Sequence, residues 1–224
     1  TAGPDTVTES GVIAPGAKYM VYDGHLNRLY IPSNDPANGA QLVIVDVSSS
    51  QPPAPVIVPI AAVLPSARSA QDPCASTVAT TLHAVAAAAL PDGSRVYVGA
   101  YYIDGSGNVC PQVTVINTSG NTFKAAAAVP GFPDATDQNS PFYVPVCADP
   151  THGGPTATRF RFMMAAGGDS SRVYLSSCDG GNVNFIDTAN DTYLLSMPAP
   201  ASARSPINGN QPPPQNPVFL IAGP

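Results

Sequence analysis

The sequence predicts an all-β fold assembled from one repeated unit, on three observations. First, a five-residue segment occurs three times: Asn27-Arg28-Leu29-Tyr30-Ile31, Ser94-Arg95-Val96-Tyr97-Val98 and Ser171-Arg172-Val173-Tyr174-Leu175. Second, each copy is followed by a matching apolar run: Leu42-Val43-Ile44-Val45-Asp46, Val113-Thr114-Val115-Ile116-Asn117 and Val183-Asn184-Phe185-Ile186-Asp187. Third, turn-forming clusters such as Pro91-Asp92-Gly93-Ser94 and Asn117-Thr118-Ser119-Gly120-Asn121 punctuate the runs at short intervals. Self-similarity on this scale marks one supersecondary unit stacked on itself.

Each unit contains four strand-like runs. The first gives Lys18–Tyr22, Arg28–Ile31, Gln41–Val47 and Pro55–Ala62. The second gives Leu82–Leu90, Arg95–Tyr102, Gln112–Asn117 and Thr122–Val129. The third gives Arg159–Ala166, Arg172–Ser177, Asn182–Asp187 and Thr192–Met197. Val43-Ile44-Val45 is apolar on successive residues, which suits a strand covered on both faces. The alanine-rich stretch Val78–Leu90 has helix-forming composition. Its equivalents, Tyr19–Tyr22 and Phe160–Met164, look like strands, so the repeat assigns it to a strand, where small residues suit a crowded innermost position. Four antiparallel strands joined by short hairpins describe a β-propeller blade, and a blade must pack against neighbours to bury both faces. The expected blades are residues 17–64, 82–132 and 159–200. Residues 1–16 and 217–224 are expected to be strands of flanking blades. Propellers close with about four or more blades, so this chain is expected to form an incomplete ring. Its open strand edges would be covered by further blades or by a protein partner.

Composition narrows the function. Among 224 residues, 44% are hydrophobic and only 11% charged, against roughly 25% in an ordinary domain. The net charge of −6 and the absence of a basic run argue against nucleic acid as a partner. The sequence has no run of 18 or more apolar residues, the length needed to span a bilayer as a helix. The start lacks the charged and apolar segments of a secretion signal, so Thr1 reads as a processed or cut end.

The four cysteines keep step with the repeat. Cys74 and Cys147 precede the first strand of a unit; Cys110 and Cys178 lie between its second and third strands. Those connections emerge on one face of a blade, so Cys74–Cys110 and Cys147–Cys178 are the expected pairs among three possibilities. Two bridges imply an oxidising compartment: periplasm, cell surface or medium. Four buried thiols are the alternative. No Cys-x-x-Cys spacing supports zinc.

Arg95-Val96-Tyr97-Val98-Gly99, Val113 to Thr118 and Lys124 to Gly131, with Arg172 to Leu175 and Val183 to Thr188, resemble YVTN-type β-propeller repeats. The first unit departs from the pattern, with Asp46-Val47 in place of Asp-Thr. The resemblance covers most of residues 17–200. It implies bacterial or archaeal, often extracytoplasmic, seven-bladed proteins: surface proteins, nucleic-acid- or cofactor-associated propellers and dehydrogenase subunits. It carries over no catalytic residue.

Candidate site residues are few. His25 sits in a first-to-second-strand turn as an exposed turn residue, His83 opens an innermost strand with either a core or loop role or a place facing the central channel, and His152 lies in a loop near Cys147. Dispersed histidines do not form a metal-ligand pattern. Asp134, Asp137 and Asn139 make a weak oxygen cluster without the order of a calcium loop. Ser66-Ala67-Arg68-Ser69 recurs as Ser202-Ala203-Arg204-Ser205, so Arg68 and Arg204 are candidate anion ligands or donors to backbone carbonyls. No nucleophile elbow, phosphate loop, dinucleotide fingerprint or haem attachment motif occurs, and no cofactor is expected. The leading expectation is a non-catalytic extracytoplasmic interaction or structural module, such as a subunit of a larger surface or electron-transfer assembly. The alternative is the propeller portion of a periplasmic oxidoreductase or lactonase-like enzyme, which convergent polar groups around His83 would favour.

Overall fold

Pairing of sequence-adjacent strands generates the whole architecture. The computed structural model describes residues 11–63, 67–76, 81–134, 161–178, 180–199 and 221. The first sheet contains β1 (Val21–Asp23), β2 (Arg28–Asp35), β3 (Gly39–Asp46) and β4 (Val56–Pro59), antiparallel and in chain order. The second contains β5 (His83–Ala89), β6 (Arg95–Ile103), β7 (Asn108–Asn117) and β8 (Thr122–Ala128), with the short β9 (Phe132–Pro133) added beside the start of β7. The third contains β10 (Phe162–Ala166), β11 (Arg172–Ser177), β12 (Asn182–Asp187) and β13 (Thr192–Pro198). These are β-propeller blades of four antiparallel strands. Among the described residues they do not close a ring, and no helix there is long and apolar enough to cross a membrane.

The second blade lies in the middle. β5 packs against β1 and β2 on one side and β10 on the other, so the first strands gather toward a common axis. This explains the alanines. Ala84 and Ala87 belong to the core shared with the first blade, and Ala86 and Ala88 to the core shared with the third. A strand squeezed from both sides has room only for small side chains, and tertiary packing overrides the helix propensity of the segment.

Strand alternation assigns every face. Tyr30, Leu42, Ile44 and Val58 of the first blade meet Val96, Val98 and Ile116 of the second. Tyr97, Val113 and Val115 on the opposite face of the second blade meet Met164, Val173, Leu175 and Ile186 of the third. A break in register falls at Val115/Ile116 in the second blade and at the equivalent Phe185/Ile186 in the third. The repeat therefore extends to the irregularity.

Two expectations are corrected. Residues 11–20 hold no strand; Gly11 and Gly16 turn the chain there with φ of 87° and 67°. The second blade's middle strands run longer than the turn signals suggested, so Cys110 lies inside β7, opposite Tyr102, rather than between strands. Pro133, which cannot donate to a ladder, still lies in the added strand β9, an edge position where no donor is needed. Residues 1–10, 217–220 and 222–224, within the segments 1–16 and 217–224 expected to be strands of flanking blades, lie outside the described residues.

The recurring Arg-x-Tyr pair explains how blades grip. Arg28 Nη1 donates to the Thr118 carbonyl at 2.9 Å and to Asn121 Oδ1 at 3.3 Å, crossing from the first blade to the second. Arg95 Nη1 donates to the Thr188 carbonyl at 2.5 Å and to Asp191 Oδ1 at 2.6 Å, crossing from the second to the third. The acceptors Asn121 and Asp191 both adopt the left-handed conformation (φ 52° and 57°), which short Asx side chains tolerate. Thr118 and Thr188 tie their turns down by donating to the Gly93 and Ser170 carbonyls. Tyr97 adds a bond of 2.5 Å to Asp191, whereas Tyr30 donates to Asp23 within its own blade at 3.4 Å. At the same end, Gly93, with φ 69°, lies so close under the His25 ring that a Cβ would stand 2.4 Å from it.

Burial raises the carboxyl pKa of Asp191, but hydrogen bonds from Lys124 and Tyr97 and the charge of Arg95 outweigh it and leave the group below its ordinary 3.8. A carboxylate stabilised in this way adds stability that is present above the unfolded value and lost as pH falls through the folded one. Asp191→Ala removes the shared acceptor of Arg95, Tyr97 and Lys124, and is predicted to cost about 2–3 kcal/mol at neutral pH. Asn121→Ala, which loses one neutral acceptor, is predicted to cost about 1 kcal/mol. Urea titrations at pH 7 and pH 3 check both values, with the difference between wild type and Asp191→Ala shrinking at the lower pH.

Candidate functional site

The loop-bearing end of the stack, opposite the Arg-x-Tyr contacts, is where the sequence places its candidate ligands. His83 is the first residue of β5 and is half-buried. Its ring lies 5.3 Å from that of Tyr101, directly across the β5–β6 ladder. Tyr101 in turn packs on Phe162 at 5.5 Å, and Phe162 on Phe132 at 6.2 Å. Arg161 places its guanidinium 4.6 Å over the Tyr101 ring and donates to Asp134 Oδ1 at 2.5 Å. The result is an aromatic ladder across the second and third blades, capped by a paired cation. Burial, then the positive charges of Arg161 and Lys18, lower the pKa of His83 below its ordinary 6.5. The imidazole is therefore neutral at neutral pH. It has no carboxylate partner among the described residues.

Arg68 is more deeply placed than a surface ligand. It is 7% exposed and donates to Asp72, to the Val129 carbonyl and to the Pro111 carbonyl, at 3.0, 2.9 and 2.9 Å. Its guanidinium also stacks over Tyr102 at 5.8 Å. These contacts fasten the 67–76 loop to the edge of the second blade. Asp72 continues the work by accepting from the Cys74 and Gly131 amides. A disulfide joins Cys74 to Cys110 across 36 residues of chain. Gly131 lies beneath that bridge, where a Cβ would stand 2.5 Å from the Cys74 sulfur. Cys178 is also disulfide-bonded; Cys147, its expected partner, lies outside the described residues, as do His152, Arg204, Asp137 and Asn139. His25 is exposed in its turn over Gly93. Asp104 lies beside Cys74 and Cys110, but both sulfurs are committed to the bridge and offer no thiolate to a metal.

A recess of about 350 Å³ runs between the outer strands β8 and β13 under the 67–69 segment. Its polar lining consists mainly of Arg68, Asp72 and Asp191, whose charges are already paired. The arrangement supplies a shaped, weakly polar groove rather than a reacting constellation. The sequence singled out His83, Arg68 and Asp134, the last of which pairs with Arg161, but missed Arg161, Asp72 and Asp191. Asp191 had a legible signal, because it stands four residues after the Asx that ends the third strand, as Asn121 does. Arg161 had none: the first two blades carry no equivalent arginine.

No protein-family model and no curated protein matches the chain. Among solved structures it is similar to a candidate 6-phosphogluconolactonase from Bacteroides fragilis, at 9% identity and TM-score 0.41, over 81% of this chain and 38% of that one. It is similar to the β-propeller domain of the Trilobed protease from Pyrococcus furiosus, at 11% identity and TM-score 0.35, over 82% and 43%. It is also similar to AztD from Citrobacter koseri, at 11% identity and TM-score 0.32, over 89% and 48%. The chain spans less than half the length of each. The assignment of propeller blades rests on the sheets themselves.

Two outcomes are expected at this end. Replacing Cys74 and Cys110 together by serine is predicted to lower stability by about 2–4 kcal/mol, read from urea midpoints without reductant. The His83 imidazole, followed by NMR, is predicted to titrate below 6.5 and to move upward in Arg161→Ala as one of the opposing charges is removed. Because the folded value is the lower one, the contribution of His83 to stability is present above the unfolded pKa and lost as pH falls.

Proposed function

We propose that this chain is a non-catalytic, extracytoplasmic propeller module that binds protein through its end blades, as one part of a larger assembly. The observation that carries this reading is the apolar character of both outer faces. On the first blade, the face turned away from the second pairs Tyr22 with Leu29 and places the half-buried Ile31, the fully buried Val43 and the exposed Ile57 in one row. Tyr22 is 55% exposed and Ile57 54%. On the third blade the far face carries Tyr174, Phe185, Leu195, Val183 and Met197, with Met197 52% exposed. In the middle blade the equivalent positions are buried on both sides. Exposed apolar side chains on both outer faces support an interaction site there.

The disulfides support an oxidising location. The commitment of His83 to aromatic packing, and of Arg68 to the loop it anchors, supports binding over catalysis. Membership of the YVTN-type repeat group is part of the same proposal, supported by the Arg-x-Tyr and Asx-Thr spacing. The lactonase-like or oxidoreductase reading has no observation in its favour beyond the shared architecture.

The test is the native mass and location of the protein in the cells that make it. The proposal expects it outside the cytoplasm, with its bridges intact, in a species well above 22.8 kDa. A free 22.8 kDa species with reduced cysteines in the cytoplasm would contradict it.

A further inference from the structure

We propose that the Arg172–Tyr174 face of the third blade receives one kind of occupant: a further propeller blade whose third strand ends in an Asx-Thr pair and whose next turn holds Asn or Asp in the left-handed conformation. This rests on the role assigned above to the outer faces and names the partner's chemistry. The same donors have already acted twice in the molecule. Arg28 reaches the Thr118 carbonyl and Asn121 of the next blade, and Arg95 reaches the Thr188 carbonyl and Asp191 of the next. Arg172 and Tyr174 occupy the same register, since Arg28, Arg95 and Arg172 pair across the ladder with Asp46, Asn117 and Asp187. Their neighbours Val173 and Leu175 point back into the core shared with the second blade, so Arg172 and Tyr174 point away from it.

Among the described residues Arg172 folds onto its own sheet. It donates to Asp187 Oδ1 and to the Ser171 carbonyl, both at 2.6 Å, and stays 37% exposed. Tyr174 lies edge-on to Phe185, with ring centroids 5.2 Å apart. A cation that itself stays more than a third exposed is retained weakly by its carboxylate and can transfer to a better-placed acceptor. The apolar row beside it continues the interface already built twice between blades.

A second copy of this chain does not supply that acceptor. The hairpins of its second and third blades already hold Arg28 and Arg95. Its first-blade hairpin places Val47 where Thr118 and Thr188 stand, and Ser50 where Asn121 and Asp191 stand. Ser50 is not among the residues with positive φ. That hairpin is also longer: residues 45–55 separate the partners Ile44 and Val56, whereas residues 116–124 separate Val115 and Ala125.

The whole chain provides the test. A variant in which residues 116–124 replace residues 45–55 gives the first blade the missing acceptor, and sedimentation velocity measures head-to-tail association between copies. The double substitution V47T/S50N, in the native-length hairpin, serves as a second variant should the graft fail to fold, as judged by its thermal transition. Association about ten-fold or more tighter than wild type is expected, as a charged hydrogen bond gained at an interface implies. Adding Arg172→Ala is expected to erase the gain. Arg172→Ala in the unaltered chain should leave its melting temperature unchanged. The proposal is overturned if the folded variants associate no more tightly than wild type or if Arg172→Ala leaves the gain intact. It is equally overturned if the unaltered chain already associates as tightly in an Arg172-dependent way. None of these outcomes bears on the native mass and location, which test the broader reading separately.

Discussion

An arginine guanidinium that crosses from one sheet to a left-handed Asx in the next is the contact on which the stack depends. Apolar burial drives the sheets together, but it is non-directional and does not by itself choose which strand lies over which. The guanidinium supplies the direction. Its acceptors are a strand-end carbonyl and a side chain held at positive φ, and both are in place only when the hairpin of the next blade is correctly formed. The two instances differ in strength. Between the first and second blades the acceptor is the neutral Asn121, at 3.3 Å. Between the second and third it is the carboxylate of Asp191, shared by Arg95, Tyr97 and Lys124. Charge-assisted bonds are about twice as strong as neutral ones, so the third blade is held more firmly than the first.

This contact lies at the hairpin end of the stack and leaves the opposite end free for other work. There the chain departs from the repeat: the 67–76 loop is held by Arg68, Asp72 and a disulfide, and Arg161 caps the Tyr101 ring. Burial of the Arg68 guanidinium is tolerable because each terminal nitrogen has an acceptor; an unpaired buried cation would cost several kcal/mol. The repeated end thus specifies assembly, and the irregular end supplies the individuality of this chain. Loops on a rigid scaffold commonly carry recognition.

Much of the fold was legible because the repeat overrode local propensity. Ala84 to Ala88 have helical composition, yet their position one hairpin before Arg95 required a strand, and β5 is one. The limits β11 (Arg172–Ser177) and β12 (Asn182–Asp187) matched the sequence reading because Gly and Asx turns bracket both strands. Cys110 was misplaced because Asp104-Gly105-Ser106-Gly107 makes a tighter turn than the stretch around it suggested, carrying the cysteine into β7. The site was less legible. His83 could be located by position in the repeat, but its partner Tyr101 is fixed by cross-strand register, and Arg161 by packing between blades. Neither relation leaves a local signature in sequence. The missing strand at 11–16 has a simple cause, since Gly11 and Gly16 at positive φ break an extended run there.

A double-mutant cycle between Arg95 and Asp191, by urea unfolding at pH 7, addresses the central claim most directly. If the guanidinium grips the next blade through this carboxylate, Arg95→Ala and Asp191→Ala will be strongly non-additive, with a coupling energy of about 1–3 kcal/mol. Additivity within about 0.5 kcal/mol would show that the two side chains do not act together and that apolar packing alone sets the blades in place.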